Sequence, residues 1–329
     1  MSQNEIIEDL RSLIVTDEDV AEFKRFDQYL TKSLEDLSRN FIKYLFEDGQ
    51  ITTESKTKLK LNKMPPAGTK IDIQVPPPPP MNAEPENLEL PILFEDDHLV
   101  IVNKPAGMVT HPAPGNYTGT LVNAILYHCP DLRGVGDAKR PGIVHRLDKG
   151  TSGVMVVAKS QKCHEGLVQL FSKHDIDRVY QALCIGTGYT VAGKLEGSIG
   201  RHPNNRLKMA VNVKNGRAAV THYKVLKEYI GCTHMQCKLE TGRTHQIRVH
   251  MASLLNAFLL CDGTYGNPGQ QKDRLPKALA EYLSDYPFPL LHARRLAFVH
   301  PITKEFIEFE EEPPEVFLKA IKILEKDCE

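Results

Sequence analysis

Five consecutive prolines at positions 76–80 constrain this chain more than any other feature. Proline lacks a backbone N–H and fixes φ, so such a run can join neither a helix interior nor a sheet and favours a stiff polyproline II spacer. A chain of 329 residues also exceeds what one core usually serves. The expectation is a small body over residues 23–75, a proline-rich linker over 76–89 and a large body over 90–312. In the small body Phe26, Leu30 and Leu34 recur at four-residue steps, as on one helix face. Ser38 suits the N-cap of a second helix whose Phe41, Ile42, Leu45 and Phe46 share a face, and Gly49 suits its C-terminal end. Ile71, Ile73 and Val75 then alternate with polar residues, the pattern of a half-buried strand.

Beyond residue 90, strands dominate. Residues 99–102 and 154–158 are apolar throughout and predict buried strands, while 233–239 alternates, with Met235, Cys237 and Leu239 on one face. Residues 161–171 and 244–255 carry apolar positions at helical intervals. No regular βαβ repeat links these segments, so the fold class expected is α+β with a mixed, largely antiparallel sheet. The acidic C-terminal stretch around Val316, Leu318 and Ile321 predicts a short surface helix.

No apolar run is long enough to cross a bilayer, and the first ten residues are acidic, unlike a secretory leader, so a cytoplasmic protein with no membrane partner is expected. The seven cysteines are odd in number and include no CxxC pair, a pattern of reduced thiols with no zinc site. A net charge of −1 conceals an uneven distribution. Residues 1–22 hold seven acidic and one basic side chain, and residues 305–329 hold nine acidic and three basic. Residues 201–250 reverse this, with ten Lys/Arg, five His and two Asp/Glu. A basic body between acidic ends fits a polyanion partner, and fits a lysine-rich solvated surface equally well.

The common nucleotide and metal patterns are missing: there is no GxxxxGK[ST] and no HExxH, and Gly134 and Gly136 lack the third glycine of a dinucleotide fingerprint. His145, His245, His250 and His292 each lie within three residues of an arginine, which suits structural or RNA-facing roles better than metal ligation. One segment stands out: HRLDKGTSG, residues 145–153, sets the carboxylate of Asp148 between Arg146 and Lys149 and follows it with small residues. Neighbouring cations favour a carboxylate's ionised form, and small residues admit a substrate close to the backbone. Taken alone, these features suit a catalytic carboxylate or a solvated turn aspartate.

HRLDKGTSG resembles the catalytic motif of the RluA family of pseudouridine synthases. Four further segments are similar to that family's motifs and occur in its order: FEDDHLVIVNKPAG at 94–107, RVYQA at 178–182, LETGRTHQIRVHM at 239–251 and LHARR at 291–295. The likeness covers almost all of the large body. It departs at Gly150, where an acidic residue is commoner. Residues 111–116 and 140–144 resemble members acting on large-subunit ribosomal RNA, and residues 23–75 resemble an S-four type RNA-binding domain whose usual Val-Asn-Gly turn is replaced by Thr-Thr-Glu-Ser at 52–55.

The resemblance implies an RNA partner, no metal, no nucleotide or other cofactor, and a monomer. It makes Asp148 the catalytic nucleophile or base, Arg248 its ion-pair partner and Tyr180 the residue that stacks on the base and accepts the C5 proton. Arg146 would hold the flipped nucleotide and Leu239 would pack on the base. A non-catalytic RNA-binding assembly factor, a tRNA-modifying relative and a nucleoside hydrolase are the competing readings.

Overall fold

The computed structural model describes residues 9–34, 37, 39–55, 58–75, 83–113, 115–132, 135–137, 140–266 and 275–326. These form two compact groups, one drawn from residues 1–82 and 113–117, the other from 83–112 and 118–329. Ser38 and the prolines at 76–80, on which two expectations rested, lie outside the described residues.

The first group contains β1 (Asp9–Ile14), α1 (Asp17–Glu22), α2 (Phe26–Ser33), α3 (Arg39–Glu47), β2 (Ile51–Thr52) and β3 (Lys70–Val75). Its antiparallel sheet runs β1-β3-β2, so it begins ahead of the Phe23 expected as its start. Ile71, Ile73 and Val75 point inward from β3, as their alternation requires, onto Phe26 and Leu30 of α2 and Ile42 and Leu45 of α3.

The second group runs β4 (Ile92–Glu95), β5 (Leu99–Lys104), α4 (Leu121–His128), β6 (Gly136–Asp137), β7 (Arg140–Pro141), β8 (Ser152–Ala158), α5 (Gln161–Lys173), β9 (Asp177–Ile185), β10 (Ala192–Arg201), β11 (Met209–Val211), β12 (Arg217–Tyr229) and β13 (Cys232–Leu239). It continues with α6 (Gln246–Leu254), α7 (Lys277–Tyr282), β14 (Leu291–Val299), β15 (Phe306–Glu310) and α8 (Glu315–Lys326). Its large sheet has the order β11-β10-β12-β13-β9-β14-β8-β5-β4, with β15 added to β14. Among its described strands only β14 and β8 pair in parallel, so the sheet is mixed and largely antiparallel.

The centre of this sheet fixes the geometry of everything that follows. β8 is buried at every position, which its unbroken apolar run after Gly153 demands. Gly153 itself has φ +120°, and a Cβ there would fall 2.3 Å from the carbonyl oxygen of Ala293, so only glycine lets β14 approach. In β9, Tyr180 pairs with Cys237 of β13 on one side and Ala293 of β14 on the other.

The C-terminal segment departs from expectation. α8 buries Phe317, Ala320 and Leu324 in a cluster with Leu183, Leu260 and Leu283. Those residues recur at i, i+3 and i+7 beneath an acidic exterior, so the helix is part of a core as well as a surface.

Candidate active site

The loop between β7 and β8 carries Asp148, and three neighbouring contacts hold that loop. Thr110 donates its hydroxyl to the Leu147 carbonyl at 3.0 Å, Gly107 donates its N–H to the Lys149 carbonyl at 2.7 Å, and Thr151 N–H reaches back to the Asp148 carbonyl at 3.0 Å. Beneath them Lys104 is fully buried, its ammonium donating to the Pro105 and Met108 carbonyls at 2.9 and 2.8 Å. Burial pushes its pKa down to about 7, against the opposing pull of Asp148. Gly150 packs against Pro289 and Phe288, and a Cβ there would meet Pro289 at 2.8 Å. An acidic side chain at this position would thus need Pro289 to shift.

Opposite Asp148 stands the segment joining β13 to α6. Gln246 organises it: its Oε1 accepts from the Thr241 hydroxyl and the Arg243 N–H, and its Nε2 donates to the Val220 carbonyl and the Thr221 hydroxyl. His245 caps α6 in the left-handed region at φ +56°, a conformation that costs a non-glycine residue about 1–3 kcal/mol. Its Nδ1 meets the Tyr265 hydroxyl at 2.9 Å, and its Nε2 lies 3.9 Å from Asp148 Oδ2. Burial depresses its pKa, which Asp148 partly offsets.

Arg248 follows on α6. Its Nη1 lies 3.5 Å from Asp148 Oδ2, while Nε and Nη2 grip the carboxylate of Asp262 at 2.8 Å each. Asp262, only 1% exposed, is itself held by the N–H groups of Thr264 and Tyr265. The bidentate pair is the tighter one, so Asp262 orients Arg248, and Arg248 presents one amino group to Asp148. Tyr265 lies under the guanidinium at 5.2 Å.

A cleft of about 580 Å³ joins these parts. Asp148, Tyr180, Arg248, Arg146 and Leu239 all line it, so the residues expected to act on the nucleotide meet here. Tyr180 is buried, and burial pushes its phenol up to about 12, with Arg178 pulling down and Asp148 pushing up. Arg146 is exposed at the cleft; Leu239 is buried where β13 ends. Among the described residues the cleft has one other carboxylate, Asp137, which accepts from Arg140 at 3.2 Å.

Sequence reasoning missed Asp262, His245, Tyr265, Lys104 and Arg178. Asp262 had a signal, being the lone acidic residue between Glu240 and Asp273. The other three histidines are structural: His145 accepts from Val156 N–H, His250 pairs with Thr221, and His292 bridges Ser152 to the Glu311 carbonyl. Away from the cleft, Glu95, His128 and Cys129 are the one described trio with metal-ligand atoms close together. Its carboxylate already holds Lys159 at 2.7 Å and His128 at 2.7 Å.

Residues 98–253 match the family model described as RNA pseudouridylate synthase. The chain is 41% identical over 306 residues to the ribosomal large subunit pseudouridine synthase D of Zymomonas mobilis, covering 91% of this chain and 93% of that one. It is 39% identical over 316 residues to an uncharacterized RNA pseudouridine synthase of Aquifex aeolicus, covering 94% and 98%. Among solved structures, human RNA pseudouridylate synthase domain containing 4 superposes with a TM-score of 0.56 at 26% identity, over 71% of this chain and 93% of that one.

Proposed function

This chain belongs to the RNA pseudouridylate synthase family, and from that premise we propose that it isomerises specific uridines of large-subunit ribosomal RNA with Asp148 as the catalytic carboxylate. The reaction breaks the N1–C1′ bond, turns the uracil, joins C5 to C1′, removes the proton from C5 and leaves one on N1. The product holds a new carbon–carbon bond, and the balance needs no ATP, metal or redox partner.

Asp148 acts on the ribose, by attack at C1′ or by accepting the C2′ proton, as carboxylates do at other anomeric carbons. Arg248 orients that carboxylate. Tyr180 stacks on the uracil and accepts the C5 proton, Leu239 packs on the base, and Arg146 holds the flipped nucleotide. Flipping a base out of structured RNA costs a few kcal/mol, which cationic contacts to phosphate offset. The observation that carries this reading is the convergence of Asp148, Tyr180, Leu239 and Arg248, from three separate sequence motifs, on one cleft. Large-subunit RNA is favoured because relatives at about 40% identity over nine-tenths of the chain bear that substrate in their names. The first group of elements, with its S-four-like sequence, serves as an RNA anchor.

Mapping pseudouridine in the RNA of cells with and without this protein tests the assignment. Loss of discrete sites in large-subunit rRNA is expected. Loss confined to tRNA, with rRNA unchanged, would contradict it.

A further inference from the structure

Arg178 is a buried cation that no anion among the described residues pairs with. It is 7% exposed, and its Nε is buried without a hydrogen-bond partner. Among the described residues its one side-chain hydrogen bond runs from Nη2 to the Glu240 carbonyl at 2.9 Å. The guanidinium lies 5.6 Å from the Phe171 ring centroid, and His145 stacks on Phe171 at 4.6 Å. Among the described residues no carboxylate pairs with it, and its charged neighbour in the cleft is another cation, Arg243. Gly242 makes room for it, since a Cβ there would fall 2.7 Å from Nη1.

A desolvated guanidinium costs free energy unless an opposite charge compensates it. The described residues supply stacking and one carbonyl but no opposite charge. The cleft that Arg178 lines is where a ligand's charge can arrive. Position narrows the ligand further. Arg178 and Tyr180 are two residues apart on β9 and line the same cleft, so their Cα atoms are about 6.8 Å apart. That is the scale on which a nucleotide's phosphate lies from its own base.

We propose that Arg178 forms a phosphodiester subsite, clamping the RNA backbone beside the uridine whose base lies on Tyr180. This rests on the proposed function. It adds a third fixed point to the nucleotide, with Asp148 at the sugar, Tyr180 at the base and Arg178 at the phosphate. An arginine suits the task because its planar fork matches two phosphate oxygens while its face stays stacked on Phe171.

The test uses the full-length protein, its Arg178→Met and Arg178→Lys variants, and unmodified large-subunit rRNA transcribed in vitro. Binding is measured across a range of KCl concentrations, alongside the melting temperature of the free proteins and pseudouridine formed in a single turnover. Arg178→Met should weaken binding about tenfold, and the slope of log Kd against log[KCl] should fall by about one. Its melting temperature without RNA should be unchanged or higher, because an uncompensated buried charge has been removed. Arg178→Lys should recover most of the slope and less of the turnover. An unchanged slope, with weaker binding or a melting temperature lowered by several degrees, would overturn the subsite and leave Arg178 as a stacking or structural residue. Failure of the substrate assignment looks different: no pseudouridine forms with any of the proteins, the wild type included.

Discussion

Asp148 is held by a relay of charge in which each member depends on the next. Asp262 fixes Arg248 through two 2.8 Å bonds, and Arg248 then reaches Asp148 at 3.5 Å. Breaking a buried pair from one side leaves a desolvated charge, so Asp262→Ala should cost about 3 kcal/mol of stability and lower turnover more than Tm alone explains. Urea unfolding and single-turnover rates at a temperature where the variant is folded separate the two effects. Tyr180 makes a prediction in pH. With its phenol pushed up to about 12, the phenolate fraction rises about tenfold per pH unit through the range from 7 to 9. If the phenolate accepts the C5 proton, turnover should climb over that range, and Tyr180→Phe should lower the rate and abolish the climb at nearly unchanged melting temperature. A flat wild-type profile, or a large loss of stability in Tyr180→Phe with normal turnover, would return Tyr180 to a packing role. Legibility at this scale followed local sequence. Asp148, Arg146, Tyr180, Leu239 and Arg248 sit in contiguous motifs and could be named from them. Asp262 and Tyr265 join the site only because the chain after α6 turns back on it, and no periodicity encodes that return.

At the scale of elements, the strands were legible and the clamps between them were not. The apolar runs of β5 and β8 and the alternation of β13 state their burial outright. The parallel contact of β14 with β8 depends instead on Gly153 and on His292, whose Nδ1 accepts from Ser152 and whose Nε2 donates to the Glu311 carbonyl. The C-terminal helix was misjudged because its acidic residues mask an apolar stripe that only tertiary contact reveals. His292 gives the clamp a pH signature. Burial lowers its pKa to about 4, below the roughly 6.5 of an unfolded histidine. A depressed pKa means the unfolded chain binds the proton first, so this stabilisation is complete above about pH 6.5 and is lost as pH falls towards 4. The unfolding free energy from urea titration should therefore drop between pH 7.5 and 5, by about 2 kcal/mol from this one group. His292→Gln should be less stable at pH 7.5 but lose less on acidification. An equal loss in both proteins would exclude His292 as the titrating clamp.

At the scale of the whole molecule, acidic sequence ends flank a basic body, a charge pattern that suits one group of elements for anchoring and another for chemistry. Every candidate catalytic residue lies in the second group of elements. A truncated chain starting at Ala83 should therefore fold and modify rRNA, with weaker binding and poorer site choice but a salt dependence still steep. Identical affinity and site choice in the truncated and full-length proteins would remove the anchoring role; failure to fold would show that the second group needs the first. The claim beneath all of these is that one carboxylate performs the isomerisation. Asp148→Asn preserves shape and removes the charge, so the decisive measurement is pseudouridine formed in unmodified large-subunit rRNA by the wild-type and Asp148→Asn proteins under single-turnover conditions. The variant should bind RNA within a few-fold of wild type while its rate falls by at least about 10⁴, or roughly 5.5 kcal/mol of barrier. Substantial isomerisation by purified Asp148→Asn protein would contradict the account.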